Sequence, residues 1–262
     1  MGLLWLIPWL VLVKAPPIKH PWITDQEREY ILSGQKAIST EAGEVELDEY
    51  VPSYGEMLGR KESWGVIIAT AAIDPIWWLF IVWIPTYLVE VYSMDVKGLA
   101  IIGWVPYVGA MFGAMFGAWF GGLLSQNRIK AGWSVNKTRK TVIVLGCLIM
   151  LPSLLLLANP GSANTAVLIM AAILFGFQTS IGSIQTLPSD MLGKGSVGSL
   201  SGFAGMAAKF SAAGLTAMVP FLTAGANYQN VFILGAVLAS IVMVSILFLC
   251  PKIEPLTSNK TI

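Results

Sequence analysis

Residues 64–91 read WGVIIATAAIDPIWWLFIVWIPTYLVEV, and their only charged side chains are Asp74 and Glu90. At about 1.5 Å of rise per residue, such a run is long enough as a helix to cross a hydrocarbon layer of roughly 30 Å. Working outward, five more apolar runs follow: Ala100–Leu124, Thr141–Ala158, Thr165–Gln185, Val197–Leu222 and Val231–Leu249. Turn chemistry separates them, as in Asn159-Pro160-Gly161 and Gly225-Ala226-Asn227. The composition agrees. The 262 residues are 55% hydrophobic and only 12% charged, with a mean hydropathy of +0.70. Soluble domains carry about a quarter charged residues, so a water-soluble single-domain enzyme is excluded. A net charge of +1 provides no electrostatic footprint for nucleic acid.

The charges are unevenly placed. Ten of the fifteen acids and six of the sixteen bases fall between Lys14 and Glu62. This marks residues 14–63 as a polar central loop ahead of a bundle over residues 64–250, with a short tail at 251–262. Residues 1–13, MGLLWLIPWLVLV, are too short to span comfortably and lack the basic start of a signal peptide. They fit the end of a transmembrane helix whose beginning lies elsewhere. Within the polar loop, Thr24-Asp25-Gln26-Glu27 is a capping-box pattern that predicts a surface helix near Asp25–Ser33. The acid-rich stretch Glu41–Glu49 is expected to be solvated linker.

Lys and Arg set orientation. The stretch Gln126–Lys140 holds five bases and no acid, whereas Asn159–Asn164 and Thr223–Asn230 hold no charge. With six spans, the polar loop, the basic loop, the Leu187–Ser196 connection and the C-terminus share one side. That side collects fourteen of the sixteen bases and is expected to be cytoplasmic, in an inner membrane. Neither Cys147 nor Cys250 has a metal-ligand or disulfide spacing, and His20 is the only histidine. A membrane-embedded zinc site or histidine triad is excluded by that inventory.

Two charges remain at depth. Asp74 lies ten residues after Trp64 and Lys209 twelve after Val197, which at helical rise is about 15 and 18 Å along their helices. A charge there costs roughly 3 kcal/mol on insertion scales, so it must meet water, protein or another charge. An Asp74–Lys209 structural ion pair is one reading. The sharper one makes Lys209 the counter-charge of an anionic substrate, with Asp74 in contact with substrate or a coupling proton. Helical spacing puts Asp74, Trp77, Trp78 and Pro85 on one face, with Trp83 and Tyr87 opposite as candidate interface anchors. Trp78 is a candidate cavity-lining ring. Pro75 and Pro85 are expected to bend this helix.

Gly109, Gly113, Gly117 and Gly121 recur every four residues, predicting close approach of a neighbouring helix; Gly198, Gly202 and Gly205 invite the same expectation. In the fourth span Gln178, Thr179, Ser180, Ser183 and Gln185 either bond neighbouring helices or line a pore, with Gln178 the deepest. Asp190, with Arg139 and Lys140 of the basic loop, is a candidate for a loop-ordering or gating contact.

The order of these motifs resembles the C-terminal half of a major facilitator superfamily transporter, and within it the anion:cation symporter family and its hexuronate transporters. The strings that carry the resemblance are HPWITDQEREYILSGQ (20–35), DPIWWLFIVWIPTYL (74–88), GWSVNKTRKT (132–141), SDMLGKGSVGSLSGFAGM (189–206) and PKIEP (251–255). The resemblance implies an all-α membrane protein: a six-helix C-terminal bundle, helices 7–12, plus the end of helix 6. It also implies substrate at the midplane and proton-coupled symport of a sugar acid, without a cofactor beyond the coupling ion. Gln178 then falls in the substrate-facing tenth helix, Trp78 at an aromatic position of the seventh, and Lys209 where relatives carry a polar side chain such as Asn. Thr179 and Ser180 follow Gln178 where an aromatic is often found. The partners so implied are the lipid bilayer, a sugar acid and an N-terminal six-helix half. Other readings stand beside it: a transporter of another carboxylate in the same family, a self-sufficient six-helix homodimeric carrier or channel or an inactive fragment, and an intramembrane enzyme. The enzyme would need a nucleophile–base pair or metal ligands at depth, and the inventory offers only Asp74, Lys209 and hydroxyls.

Overall fold

The computed structural model describes residues 2–13, 15, 19–33, 52–124, 135–192, 194–223, 225 and 227–251. The expected linker at Glu41–Glu49, the bases Arg128 and Lys130 and the tail beyond Pro251 lie outside them. The chain divides into two units, Met1–Glu49 and Tyr50–Ile262.

The first unit holds α1 (Gly2–Leu12) and α2 (Asp25–Ser33). The helix α1 is apolar, and Trp5, Trp9 and Leu10 are exposed. The start of α2 is fixed by a reciprocal cap. The Glu27 amide donates to the Thr24 hydroxyl at 3.3 Å, and the Thr24 amide and hydroxyl donate to Glu27 Oε2 at 3.1 and 2.8 Å. Arg28 adds an ion pair with Asp25 at 2.6 Å.

The second unit is a helical bundle: α3 (Tyr54–Leu58), α4 (Lys61–Tyr92), α5 (Val96–Ile102), α6 (Val105–Leu123), α7 (Val135–Leu157), α8 (Ala163–Met191), α9 (Lys194–Leu222) and α10 (Gln229–Val244), which continues as a π-helical turn over Ser245–Leu249. Six helical stretches are long and apolar enough to cross a membrane, with α5 and α6 together forming one of them. The second span is therefore two helices joined by a turn at Gly103–Trp104. Pro106 at the head of α6 has no N–H to give, so an unbroken helix would leave a carbonyl of the preceding turn unpaired.

Helix α8 packs against α6, α7 and α4, α9 packs on α4, and α10 fills the space against α7 and α4. The core gathers Ile73, Ile76 and Phe80 of α4, Met150 and Leu154 of α7, and Met170, Ile173 and Leu174 of α8. In a bilayer such faces hold by packing and by interhelical hydrogen bonds, because lipid is as apolar as leucine. The expected glycine contact is present on α6. A methyl group on Gly109 would collide with the Ala171 backbone of α8, and one on Gly113 with Phe175. One on Gly117 would lie 2.9 Å from the Thr179 carbonyl oxygen.

Four expectations need correction. Gly198, Gly202 and Gly205 do not receive a helix: space beside each is open. Tyr87 is not an interface anchor but a buried core ring, edge-on to Tyr92, Tyr228 and Phe232. The Leu187–Ser196 connection is mostly helix, since α8 runs through Pro188 to Met191 and α9 begins at Lys194. Burial of Leu187, Met191 and Leu192 draws that end inward. Finally, α7 begins at Val135, so Arg139 and Lys140 are helical rather than part of a loop.

Candidate functional site

The two deep charges meet. Lys209 Nζ of α9 donates to Asp74 Oδ2 of α4 at 2.8 Å. The ammonium also lies 5.4 Å from the centre of the Trp78 ring, within range of a cation–π attraction. Trp78 is one turn beyond Asp74 on α4, so a single helix face supplies both carboxylate and ring. The pair is asymmetric: the Lys209 side chain is 62% exposed and that of Asp74 16%. The aspartate sits in the α4–α9 seam while the lysine side chain is largely exposed beside the Trp78 ring. Trp77 turns the other way and stacks on Phe177 at 5.3 Å, which makes it a packing residue.

The polar residues of α8 divide. The Thr179 hydroxyl donates to the Phe175 and Gly113 carbonyls, at 2.9 and 3.2 Å, and the Ser180 hydroxyl to the Ile143 carbonyl at 3.0 Å. Those two hold α6 and α7 to α8. Gln178, Ser183 and Gln185 face a cavity of about 480 Å³ between α6 and α8, which Arg139 also lines. Gln185 lines a second cavity as well, of about 320 Å³, with Thr70 of α4 and Ser201 and Gly205 of α9. Thr70 and Gly205 each lie one turn before a member of the ion pair. Gln185 thus lines both cavities.

At the end of the bundle, Arg139 Nε donates to Asp190 Oδ2 at 2.9 Å, tying α7 to α8. The first two turns of α7 hold Lys137, Arg139 and Lys140, which the positive helix end disfavours. Asp190 offsets one of them. Lys140 donates instead to the Pro251 carbonyl at 3.0 Å, and Asn136 donates to the same oxygen at 2.8 Å, so these two clamp the chain after α10. One polar contact was not foreseen from sequence. The Tyr228 hydroxyl, at the start of α10, donates to Glu90 Oε2 near the end of α4 at 2.6 Å. Nothing in the spacing of residues 138 apart could have paired them.

The chain is 28% identical over 260 residues to the hexuronate transporter of Escherichia coli (strain K12), covering 97% of the chain and 57% of that protein. It is 31% identical over 151 residues to the galacturonate transporter of Dickeya chrysanthemi, covering 58% of the chain and 41% of that protein. The chain therefore spans little more than half the length of the first of these relatives. Both relatives bear the names of transporters, not of enzymes. The model of the Major Facilitator Superfamily matches residues 1–217. That match runs through α1 to α9 and agrees with a bundle of six bilayer-length helices, a multi-pass integral membrane architecture. The chain belongs to the Major Facilitator Superfamily.

Proposed function

We propose that this chain is the C-terminal six-helix half of a secondary carrier for an organic anion, a hexuronate or related sugar acid moved in symport with a proton. In this reading Lys209 is the counter-charge for the substrate carboxylate, Trp78 the surface on which the sugar ring rests, and Gln178 a hydrogen-bonding group for hydroxyls. Asp74 holds Lys209 when no substrate is bound. Arg139 and Asp190 order the cytoplasmic end, and the polar loop and C-terminus lie in the cytoplasm on the inner face of the membrane. A six-helix N-terminal half would close the open face of α9.

The observation that carries this reading is the ammonium of Lys209, turned outward at mid-depth beside an indole ring. Asp74 meets one of its three donors, and the exposed remainder of the ammonium is free to take a second anion. The names of the relatives support the sugar-acid class. The test is uptake of labelled glucuronate into liposomes containing the chain together with an N-terminal six-helix half. Lys209→Ala is expected to weaken apparent affinity at least about tenfold, roughly 1.4 kcal/mol, with unchanged thermal unfolding in detergent. Equal affinity in the variant would return Lys209 to a structural tie with Asp74.

A further inference from the structure

Gln178, Gln185 and Thr186 stand at i, i+7 and i+8 on α8 and so share one face of that helix. From Gln178 to Gln185 this face runs about 10 Å at helical rise. Thr179 and Ser180 give their hydroxyls to carbonyls of α6 and α7, whereas Gln178 and Gln185 line the cavity between α6 and α8. The Thr186 hydroxyl, also in its wall, donates to the Ser183 carbonyl at 2.9 Å and keeps its lone pairs free to accept. Across the cavity α6 supplies only Gly117, Ala118, Gly121, Gly122 and other small residues. The space left is about 480 Å³, within the roughly 300–1,000 Å³ of small-molecule sites.

Arg139 is the one charged group among these walls. A guanidinium has five N–H donors. Asp190 accepts from Nε at 2.9 Å, and among the described residues nothing accepts from the two terminal nitrogens. Asp190 itself does not line the cavity. The two terminal nitrogens form the fork that binds a carboxylate through parallel hydrogen bonds. The positive start of α7 favours an anion there as well. Lys209 is a different place: it meets Asp74 and Trp78 and is not a wall of this cavity. Helices α7 and α9 begin at the same end of the bundle, since α8 alone runs between them. Arg139 is four residues into α7 and Lys209 fifteen into α9, so roughly 16 Å of helical rise separates the two cations.

We propose that this cavity is a second anion subsite, in which the terminal nitrogens of Arg139 take the carboxylate of a hydroxy acid and Gln185 and Thr186 meet its hydroxyls. Asp190 stays on Nε and fixes the direction of the fork. The small residues of α6 leave room for the sugar ring. An anion leaving Lys209 toward this end of the bundle passes from one cation to the next, so its charge stays countered along the way. The class of ligand rests on the anion-carrier reading above; the place rests on the cavity and its arginine.

Every wall of the cavity comes from this chain, so the test is equilibrium binding of labelled D-glucuronate to the full chain in phosphatidylcholine nanodiscs. Lys209→Ala removes the mid-depth cation and isolates the second subsite. Binding to that variant is expected to persist, and to weaken at least about tenfold when Arg139→Gln is added. Gly122 gives a variant that spares the Arg139–Asp190 tie. Gly113 abuts Phe175 and Gly117 abuts Thr179, which puts Gly121 and Gly122 level with Ser183 and its successor, toward the Arg139 end. Nothing lies within 4 Å of a methyl group placed on Gly122. Gly122→Phe in the Lys209→Ala background is expected to fill the space and weaken binding to the same degree, with unchanged thermal unfolding. D-Glucuronamide, which has the shape without the charge, is expected to bind at least about tenfold more weakly than glucuronate. Loss of all binding in Lys209→Ala alone overturns the second subsite and leaves the carrier reading intact. So does unchanged affinity on adding Gly122→Phe, or equal affinity of Lys209→Ala for the amide. No binding by the unaltered chain also overturns the subsite, and the uptake measurement above then decides the carrier reading separately. If Arg139→Gln fails to fold, Gly122→Phe decides.

Discussion

Arg139 and Asp190 show how much a single contact can do at a helix end. The pair joins the first turns of α7 to the last turn of α8, with both side chains less than a third exposed. A hydrogen bond between charged groups in such a place contributes about 1.5–3 kcal/mol. Asp190→Ala is therefore expected to lower stability by about that amount, and Arg139→Ala similarly. The double variant should cost clearly less than the sum, as urea-in-detergent unfolding would show; strict additivity would mean the two do not interact. Glu27 offers a residue-scale test of pH. Hydrogen bonds from the Thr24 hydroxyl and amide hold its carboxyl below the usual carboxylate range. A value lower in the folded state than in the unfolded one means the cap contributes fully above the unfolded value. That contribution is lost as pH falls through the folded value. Backbone carbon shifts of residues 25–33 are expected to lose helical character on acidification, and Glu27→Gln should flatten the profile. An unchanged profile in that variant would place the acid sensitivity elsewhere.

At the scale of elements, the glycines of α6 and α9 look alike in sequence and behave oppositely in space. Gly113 is pressed against the Phe175 backbone, whereas the position of Gly202 is open. Gly113→Ala must push two helix backbones apart, an overpacking that costs about 1–3 kcal/mol. Gly202→Ala should be neutral or slightly stabilising, since alanine favours a helix by about 1 kcal/mol over glycine. Melting curves in one detergent compare the two directly, and equal losses would contradict the packing described. The contrast marks what could be read from the chain. Apolar runs and four-residue spacing reveal a helix and its small-residue face, because both are local properties of one helix. They do not reveal whether a neighbour arrives, which depends on the whole bundle. For the same reason the burial of Tyr87 and the Glu90–Tyr228 bond were not legible, while Asp74 and Lys209 were. A charge at mid-span is conspicuous in a single helix, and neutralising it leaves few candidates. The turn at Gly103–Trp104 had a readable cause in Pro106, and the helical course through Pro188 did not.

For the whole molecule, the distribution of bases makes a claim about topology that the bundle geometry allows to be tested at two points on one helix. Lys137 lies in the first turn of α7 and Asn159 just beyond its end, so α7 separates them by about 30 Å at helical rise. Both positions are exposed. The N-terminal end of α7 carries Lys137, Arg139 and Lys140, and the connection after it carries no charge. Bases near span ends are retained on the cytoplasmic side during insertion. The two native cysteines are buried, so an introduced one can be read against a low background. Asn159→Cys is expected to react with a membrane-impermeant maleimide in intact cells, and Lys137→Cys only after the membrane is opened. The opposite pattern would invert the bundle. It would also move the Arg139–Asp190 tie to the outer face, where it could no longer order a cytoplasmic end. Because an even number of spans places residue 61 and residue 249 on the same side, this one pair of labels orients all six helices.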